Sequence, residues 1–163
     1  MSIEATIITL MRQNSNALGF IPHTQLKRRW IDRQLYVPIQ PRGTGARGYL
    51  LHGPPKPGRP LSIHQICVDQ DYRLNYHASA ALNTLIQRAN QHQASLIRLR
   101  CASDLEANLF WLSVGFRLVA TNRGGKARGR QINEYHLQLR EPQPPTPTPT
   151  GPGLPWWAGV RLD

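Results

Sequence analysis

Three titratable side chains lie on predicted strands, where they could carry protons to or from a substrate. His64 is the best placed, because it stands on a mostly apolar stretch and an unperturbed imidazole titrates near neutral pH. A surface or structural histidine is the alternative interpretation. Glu134 is a weaker candidate for a base, and Tyr135 is an alternative acid. The sequence has no serine–histidine–aspartate order and no metal-ligand cysteine spacing, so no metal centre is predicted.

The stretch 61–116 must position the first of these groups. An apolar, β-branched run predicts a strand at 61–68, and a polar turn follows at 69–75. Helical spacing of apolar residues predicts a helix at 76–93, and alternation predicts a second strand at 95–101. A strand, a crossover helix and a strand in this order predict two parallel strands with the helix packed on the sheet.

A further helix is predicted after the second strand. Ser103 and Glu106 fit a capping box, in which the serine begins the helix and the glutamate lies three residues on. Leucines at helical spacing follow, and Gly115 ends the helix. An apolar run at 116–120 then predicts the next strand.

Two blocks of this stretch resemble the GNAT N-acetyltransferases. The run from Val68 to Arg73, V-D-Q-D-Y-R followed by a helix, resembles that family's acetyl-coenzyme A binding segment. The run from Ala107 to Phe116, A-N-L-F-W ending in G-F, is similar to its later helix and strand. The resemblance extends over roughly residues 3–139. It implies an α/β fold with a mixed, twisted sheet flanked by helices on both sides, and acetyl-coenzyme A as cosubstrate.

The resemblance also implies a set of cofactor-binding residues. The strand predicted at 61–68 would hold the pantetheine, and the loop after it would hold the pyrophosphate. A strand-to-helix turn suits a pyrophosphate because it presents free N–H groups and the positive end of a helix dipole. Asn108 would lie near the coenzyme arm. The residues implied are Ile66, Cys67, Val68, Arg73, Leu74, Asn75, Tyr76, His77, Ala78, Asn108 and Trp111.

The chain departs from the family pattern at two of these positions. The family loop is R/Q-x-x-G-x-G/A, and Tyr76 stands at its first glycine, whereas Ala78 conforms. Trp111 stands where the family often has a tyrosine that protonates the leaving thiolate, and an indole supplies no acidic proton at ordinary pH.

Two functions follow from the resemblance and its departures. The first is transfer of an acetyl group, by direct attack, to an amine of a protein, a small molecule or an aminoacyl-tRNA. The alternative is a catalytically degenerate GNAT-fold protein that binds nucleic acid or a protein partner through its basic surface.

The charge of the chain favours anionic partners. Twenty lysines and arginines against nine acidic residues give a formal net charge of +11. Basic residues gather at 27–33 on a predicted helix and at 123–130 in a glycine-rich loop. We expect these two groups to form one cationic rim around the substrate entrance for an anionic acceptor, such as an acidic peptide or tRNA. Solvated surfaces are the alternative for each group.

The remaining segments complete one domain, 1–140, followed by a tail. Helices are predicted at 3–11 and 23–33, a hairpin at 35–39 and 48–52, a loop at 121–130 and a last strand at 132–139, so the family's first strand is expected to be absent. The tail, 141–163, is rich in proline and threonine, and its Trp156–Trp157 pair is expected to dock on the protein itself or on a partner subunit.

The cellular setting follows from two further features of the sequence. Cys67 and Cys101 fall on predicted core strands and read as buried, reduced thiols. The sequence shows neither a signal peptide nor a long apolar segment. We therefore expect a cytoplasmic protein without membrane contact, and a homodimer stays open.

Overall fold

The computed structural model describes residues 2–124 and 129–139. The predicted tail at 141–163, with its tryptophan pair, lies outside the described residues, as do Lys126 and Arg128 of the predicted basic loop. Within the described ranges, no helix is long and apolar enough to cross a membrane.

In the described residues, a group of helices comes first, three strands follow, and α4 and α5 separate the later strands. The helices are α1 Ile3–Gln13, α2 Ser15–Leu18, α3 His23–Leu26, which continues as a π-helical turn at Lys27–Ile31, α4 His77–Gln91 and α5 Ala107–Ser113, and a 3₁₀ turn spans Gln70–Tyr72. The strands are β1 Tyr36–Ile39, β2 Gly48–His52, β3 Leu61–Val68, β4 Leu96–Ala102, β5 Arg117–Arg123 and β6 Gln131–Gln138.

The six strands form one mixed sheet in the order β1-β2-β3-β4-β6-β5. Every neighbouring pair is antiparallel except β3 and β4, which are parallel and are connected through α4. This confirms the predicted strand, crossover helix and strand at the centre of the fold.

Helices cover both faces of the sheet, as predicted. On the face called the front here, Ile7 of α1 and Trp30 of the π-helical turn pack on Tyr49, Leu51 and Cys67. On the back face, the apolar side of α4 and the residue Trp111 of α5 pack on a larger cluster. That cluster includes Leu50, Leu61, Ile63, Ile97, Leu99, Cys101 and Tyr135.

The predicted capping box is wrong. Helix α5 begins at Ala107, and the segment from Ser103 to Glu106 forms turns instead. The Leu105 N–H donates to the Ala102 carbonyl oxygen at 3.2 Å. The carboxylate of Asp104 accepts two hydrogen bonds from Arg130 at 2.9 Å. A long-range ion pair therefore holds this segment out of the helix.

Two other predicted boundaries differ from the structure. The first three residues of the predicted loop at 121–130 belong to β5, because they pair with β6 up to Arg123 and Gln131. The predicted helix at 23–33 changes to π geometry at Lys27 and ends at Ile31. The wider π turn buries Trp30 against the front of the sheet and leaves Arg28 and Arg29 exposed.

The pairing of β2 with β3 contains a bulge at His64. Leu51 lies opposite Gln65 and His52 lies opposite Ile63, so His64 has no direct partner on β2. The extra residue changes which side chains face which core. Ile63 belongs to the back cluster, whereas Cys67, an even number of positions later, belongs to the front cluster.

Candidate active site

Strands β3 and β4 separate in the middle of the sheet. Their register runs only from Leu61 opposite Ile97 to Ile63 opposite Leu99. Beyond these positions the strands diverge, and a cavity of about 660 Å³ opens between them. Two strands line it, through Ile63–Val68 of β3 and residues 99–102 of β4. The loop before α4, the first turn of α4 and residues of α5 line the rest. The β3 backbone groups that point into this gap therefore have no partner on β4.

The first turn of α4 forms one end of the cavity. His77, Ala78 and Ser79 line it, and the first N–H groups of an α-helix have no acceptor within the helix. Within the described residues, no side chain caps this end. Free N–H groups and the helix dipole together favour a bound anion such as a pyrophosphate.

Tyr76 adopts the backbone conformation that glycine adopts most easily. Its φ is 60° and its ψ is 10°, in the left-handed region, and Leu74 has a φ of 62°. The Tyr76 side chain is 86% exposed. The loop thus keeps the geometry that a glycine would give at this position, with some backbone strain.

We predict that Tyr76→Gly raises the free energy of unfolding by about 1 kcal/mol, because glycine adopts positive φ without the clash of a Cβ atom. Urea denaturation measures the change, and calorimetry should find coenzyme affinity equal or improved. Tyr76→Ala is the control, since it removes the ring but keeps the strained Cβ, and it should give no comparable gain. A large loss of coenzyme affinity in Tyr76→Gly, absent a loss of stability, would show that the ring itself is required.

The Arg73 side chain connects the loop before α4 to two other elements. Its Nε–H donates to the Val68 carbonyl oxygen at 2.9 Å, and its Nη2 donates to Asn14 Oδ1 at 2.9 Å. The side chain therefore ties the end of β3 to the end of α1. Arg73 also lines the cavity, so its contact with the coenzyme stays a prediction. The Asn75 side chain does not line the cavity, and its amide donates to the Arg73 carbonyl oxygen at 3.2 Å.

Asn108 holds the turn before α5 to strand β6. Its Nδ2 donates to the carbonyl oxygens of Ala102 at 2.8 Å and Leu105 at 2.6 Å. Its Oδ1 accepts from Asn133 Nδ2 at 3.0 Å and from the Tyr135 hydroxyl at 2.7 Å. Both amide hydrogens and the oxygen are used, and the residue does not line the cavity. The side chain is therefore used within the protein, and a place for Asn108 near the coenzyme arm stays a prediction.

Two of the three predicted proton-transfer residues lie away from the cavity. Tyr135 is 2% exposed, and its hydroxyl proton is donated to Asn108. Glu134 accepts a hydrogen bond from His136 Nε2 at 3.0 Å, and Arg100 Nε lies 3.8 Å away. The hydrogen bond from His136, and then the charge of Arg100, lower the pKa of Glu134. Tyr135 is therefore a structural donor and Glu134 a weak base, in place of the catalytic roles expected for them.

His64 is the predicted proton-transfer residue that does line the cavity. It stands at the bulge, edge-on to Trp30 with ring centroids 5.4 Å apart. Partial desolvation lowers the pKa of His64, and the positive charges of Arg29 and Arg98 lower it further. The imidazole is therefore neutral at pH 7 and able to accept a proton.

The back wall of the cavity is apolar and chemically inert. Trp111 is 3% exposed and packs edge-on against Phe110 and Phe116, with ring centroids 4.9 Å and 5.3 Å apart. Burial raises the pKa of the Cys67 thiol to about 11, and burial also raises that of Cys101. Both thiols are free, buried and protonated at pH 7, so neither is a ready nucleophile.

The cavity also has walls that sequence reasoning missed. Asn14, Ala17 and Leu18 close it from the end of α1 and from α2, and residues 99–102 close it from β4. An asparagine at the end of a predicted helix signals a cap but not a site. In residues 2–124 and 129–139, no three histidine, cysteine or acidic side chains gather as metal ligands.

Solved structures of other proteins share this architecture. No protein-family model and no curated protein sequence matches the chain. Among solved structures, Ard1 from Thermoplasma volcanium has a TM-score of 0.70 at 16% identity, over 86% of this chain and 95% of that one. The ribosomal-protein-S18-alanine N-acetyltransferase from Escherichia coli has a TM-score of 0.65 at 13% identity, over 87% and 92%. An aminoglycoside 6'-N-acetyltransferase in complex with coenzyme A has a TM-score of 0.68 at 11% identity, over 86% and 92%.

The chain therefore has the GNAT fold, with the mixed sheet and the two layers of helices expected from the sequence. The second and third of these neighbours are N-acetyltransferases, and the third was crystallised with coenzyme A. Likeness at 11% to 16% identity establishes the fold and leaves the reaction to the residues of the site.

Proposed function

We propose that this protein is an acetyl-coenzyme A dependent N-acetyltransferase that moves an acetyl group to an amine by direct attack. The observation that carries the proposal is the arrangement of the cavity between β3 and β4. An anion site at the first turn of α4 forms one end, and the neutral His64 lies towards the other.

The dimensions of the cavity support a coenzyme in this place. Val68 lies beside the phosphate loop, and His64 lies four residues back along β3. At about 3.3 Å per residue, these positions are about 13 Å apart, which suits an extended pantetheine arm. The apolar wall formed by Trp111 and Phe110 suits its methylenes and methyl groups. The donor set of the site therefore fits acetyl-coenzyme A, which would supply the activated acetyl group as a thioester.

The residues of the chain have separate tasks in the reaction. The N–H groups of His77, Ala78 and Ser79 bind the pyrophosphate. Backbone N–H groups of β3 that face the gap are available to an oxyanion. His64 would take the proton that the amine loses as its nitrogen bonds to the acetyl carbon, and this bond would replace the carbon–sulfur bond of the thioester. Trp111 has no acidic proton, and the Tyr135 hydroxyl already donates its proton to Asn108. The leaving thiolate would therefore take its proton from water.

Calorimetric titration with acetyl-coenzyme A tests the proposal, together with release of free thiol in the presence of amines. We expect a micromolar dissociation constant and amine-dependent thiol release. Ala78→Glu should abolish binding, because its carboxylate would face the phosphates at the start of α4. Ala80→Glu is the matched control, since it adds the same charge to an exposed position of the same helix outside the cavity lining, and it should bind. No binding by the parent protein would contradict the proposal.

The alternative is a GNAT-fold protein without the chemistry, which binds nucleic acid or a protein partner through basic surface. The exposed Arg98 and Arg100 on β4 favour this alternative, because they could contact an anionic partner. Binding of RNA or of a partner by a parent protein that binds no coenzyme would select this alternative.

A further inference from the structure

We propose that the amine acceptor carries a carboxylate a few bonds from its amine, and that Arg98 and Arg100 bind this carboxylate beside the cavity. The inference rests on the proposed function and names the substrate class of the same site. The two arginines, with Ser62, Glu134 and His136, form what is called here the arginine face.

The arginine face lies on the front of the sheet, next to the point where β3 and β4 separate. The side chains of Ile97, Leu99 and Cys101 belong to the back cluster, so Arg98 and Arg100 between them point to the front and are exposed. Arg98 lies opposite Ser62 in the register. Arg100 directly follows Leu99, the last residue of β4 that pairs with β3, and it lines the cavity. The arginines thus border the end of the cavity where His64 lies.

Each guanidinium group has one contact with the sheet. Arg98 Nε donates to Ser62 Oγ at 3.0 Å. Arg100 Nε lies 3.8 Å from Glu134 Oε2, while the other oxygen of Glu134 accepts from His136. Each contact uses one nitrogen of an arginine that has five N–H donors. In the described part of the chain, no protein hydrogen bond is made by their Nη groups, which suits two-point binding of a carboxylate.

The charge around His64 disfavours acceptors that carry only positive charge. Arg29 and Arg98 act on His64 from two elements, and Arg100 lies near it on the cavity wall. Glu134 is the acidic residue paired within this group. An acceptor that brings only an ammonium group meets uncompensated positive charge here. An acceptor with a nearby carboxylate brings the compensating charge with it.

The positive charge around His64 comes from Arg98 of β4 together with Arg29 of the predicted rim. Arg130 binds Asp104 through two nitrogens and the Asn16 carbonyl oxygen through the third, so its charge is already paired. Arg123 is exposed, and the rest of the predicted rim in that loop lies outside the described residues. Arg29 of the other predicted group does face His64.

The carboxylate has two chemical sources, and matched acceptors distinguish them. One source is an acidic side chain next to the N-terminus of a peptide, tested with Ser-Glu and Ser-Gln peptides of otherwise equal sequence. The other is the α-carboxylate of a free amino acid, tested with an amino acid and its α-amide. At saturating acetyl-coenzyme A, we expect kcat/KM for the carboxylate member of one pair to exceed that of its neutral partner by roughly tenfold or more.

Variants assign this preference to the arginine face. Arg98→Gln and Arg100→Gln should each raise KM for the preferred acceptor by roughly tenfold, with a smaller change in kcat, and should reduce the preference for the carboxylate. Arg42→Gln is the matched control, because it removes the same charge from an exposed turn between β1 and β2, and it should keep the preference. Rising salt should raise KM for the parent more than for the double variant.

The outcomes separate this inference from the proposed function. A parent protein that fails to bind acetyl-coenzyme A overturns the proposed function itself. A parent that binds it and acetylates neutral and carboxylate acceptors equally overturns only the carboxylate subsite. The same holds if a short RNA binds the parent and not the Arg98→Gln variant, while acidic peptides bind neither, because the face would then be a nucleic-acid surface.

Discussion

Replacing His64 with glutamine is expected to lower kcat for acetyl transfer at pH 7 by roughly a hundredfold or more, the scale of a lost general base. Glutamine keeps a polar side chain of similar size at the bulge but cannot accept the proton of the amine. Coenzyme affinity should change little, because the phosphate loop lies at the other end of the cavity. His92→Gln, at an exposed position after α4, is the control and should retain parent activity.

The role of His64 also predicts how kcat changes with pH. Because desolvation and the charges of Arg29 and Arg98 lower the pKa of His64, the neutral form persists to a lower pH than for an ordinary histidine. At saturating acceptor, kcat should therefore rise through this lowered pKa, with its midpoint at a lower pH than for an ordinary histidine. The rising limb should be absent in His64→Gln. Parent-like rates in that variant, with an unchanged pH profile, would remove His64 from the mechanism.

Asn108→Ala is expected to lower the free energy of unfolding by about 3 kcal/mol, and Tm by about 6–12 °C. The substitution leaves the Asn133 amide and the Tyr135 hydroxyl without their acceptor. It also removes one of the donors to each of the Ala102 and Leu105 carbonyls, which keep their backbone donors. Each unsatisfied buried group costs about 1–3 kcal/mol, and water reaches part of this network. Thermal and urea denaturation measure the loss.

A control and a double variant test whether the network is the cause. Asn83→Ala, on the exposed side of α4, should change stability by no more than about 0.5 kcal/mol. Tyr135→Phe removes the hydroxyl that Asn108→Ala leaves without an acceptor, so the double variant should lose less than the two single losses added together. Strictly additive losses would show that the two side chains act independently.

Local pattern was sufficient for the elements at the centre of the fold. An apolar, β-branched run located β3, helical spacing located α4 and alternation located β4, and the crossover rule gave the parallel order of the two strands. Pattern failed where partners distant in the chain decide the outcome. The capping box of Ser103 was overridden by the ion pair of Asp104 with Arg130, which no local window contains.

The site was predictable in outline but not in its assignments. The resemblance drew attention to the strand and loop that line the cavity, and to His64 on that strand. It could not show that Asn108 and Tyr135 satisfy each other, because their contact joins α5 to β6. The bulge at His64 is likewise invisible in a period of two, since it shows only when the register of β2 against β3 is known.

The strand order has a consequence for how the chain folds during synthesis. The last strand, β6, lies between β4 and β5 and pairs with both, whereas β5 pairs with β6 alone. The strands β1, β2 and β3 follow each other as hairpins and can pair as soon as they leave the ribosome. Until residues 131–138 emerge, however, the far side of β4 is an open edge and β5 has no neighbour. The nascent chain therefore exposes one edge of β4 and an unpaired β5 until β6 arrives, and a chaperone would be needed most in that interval.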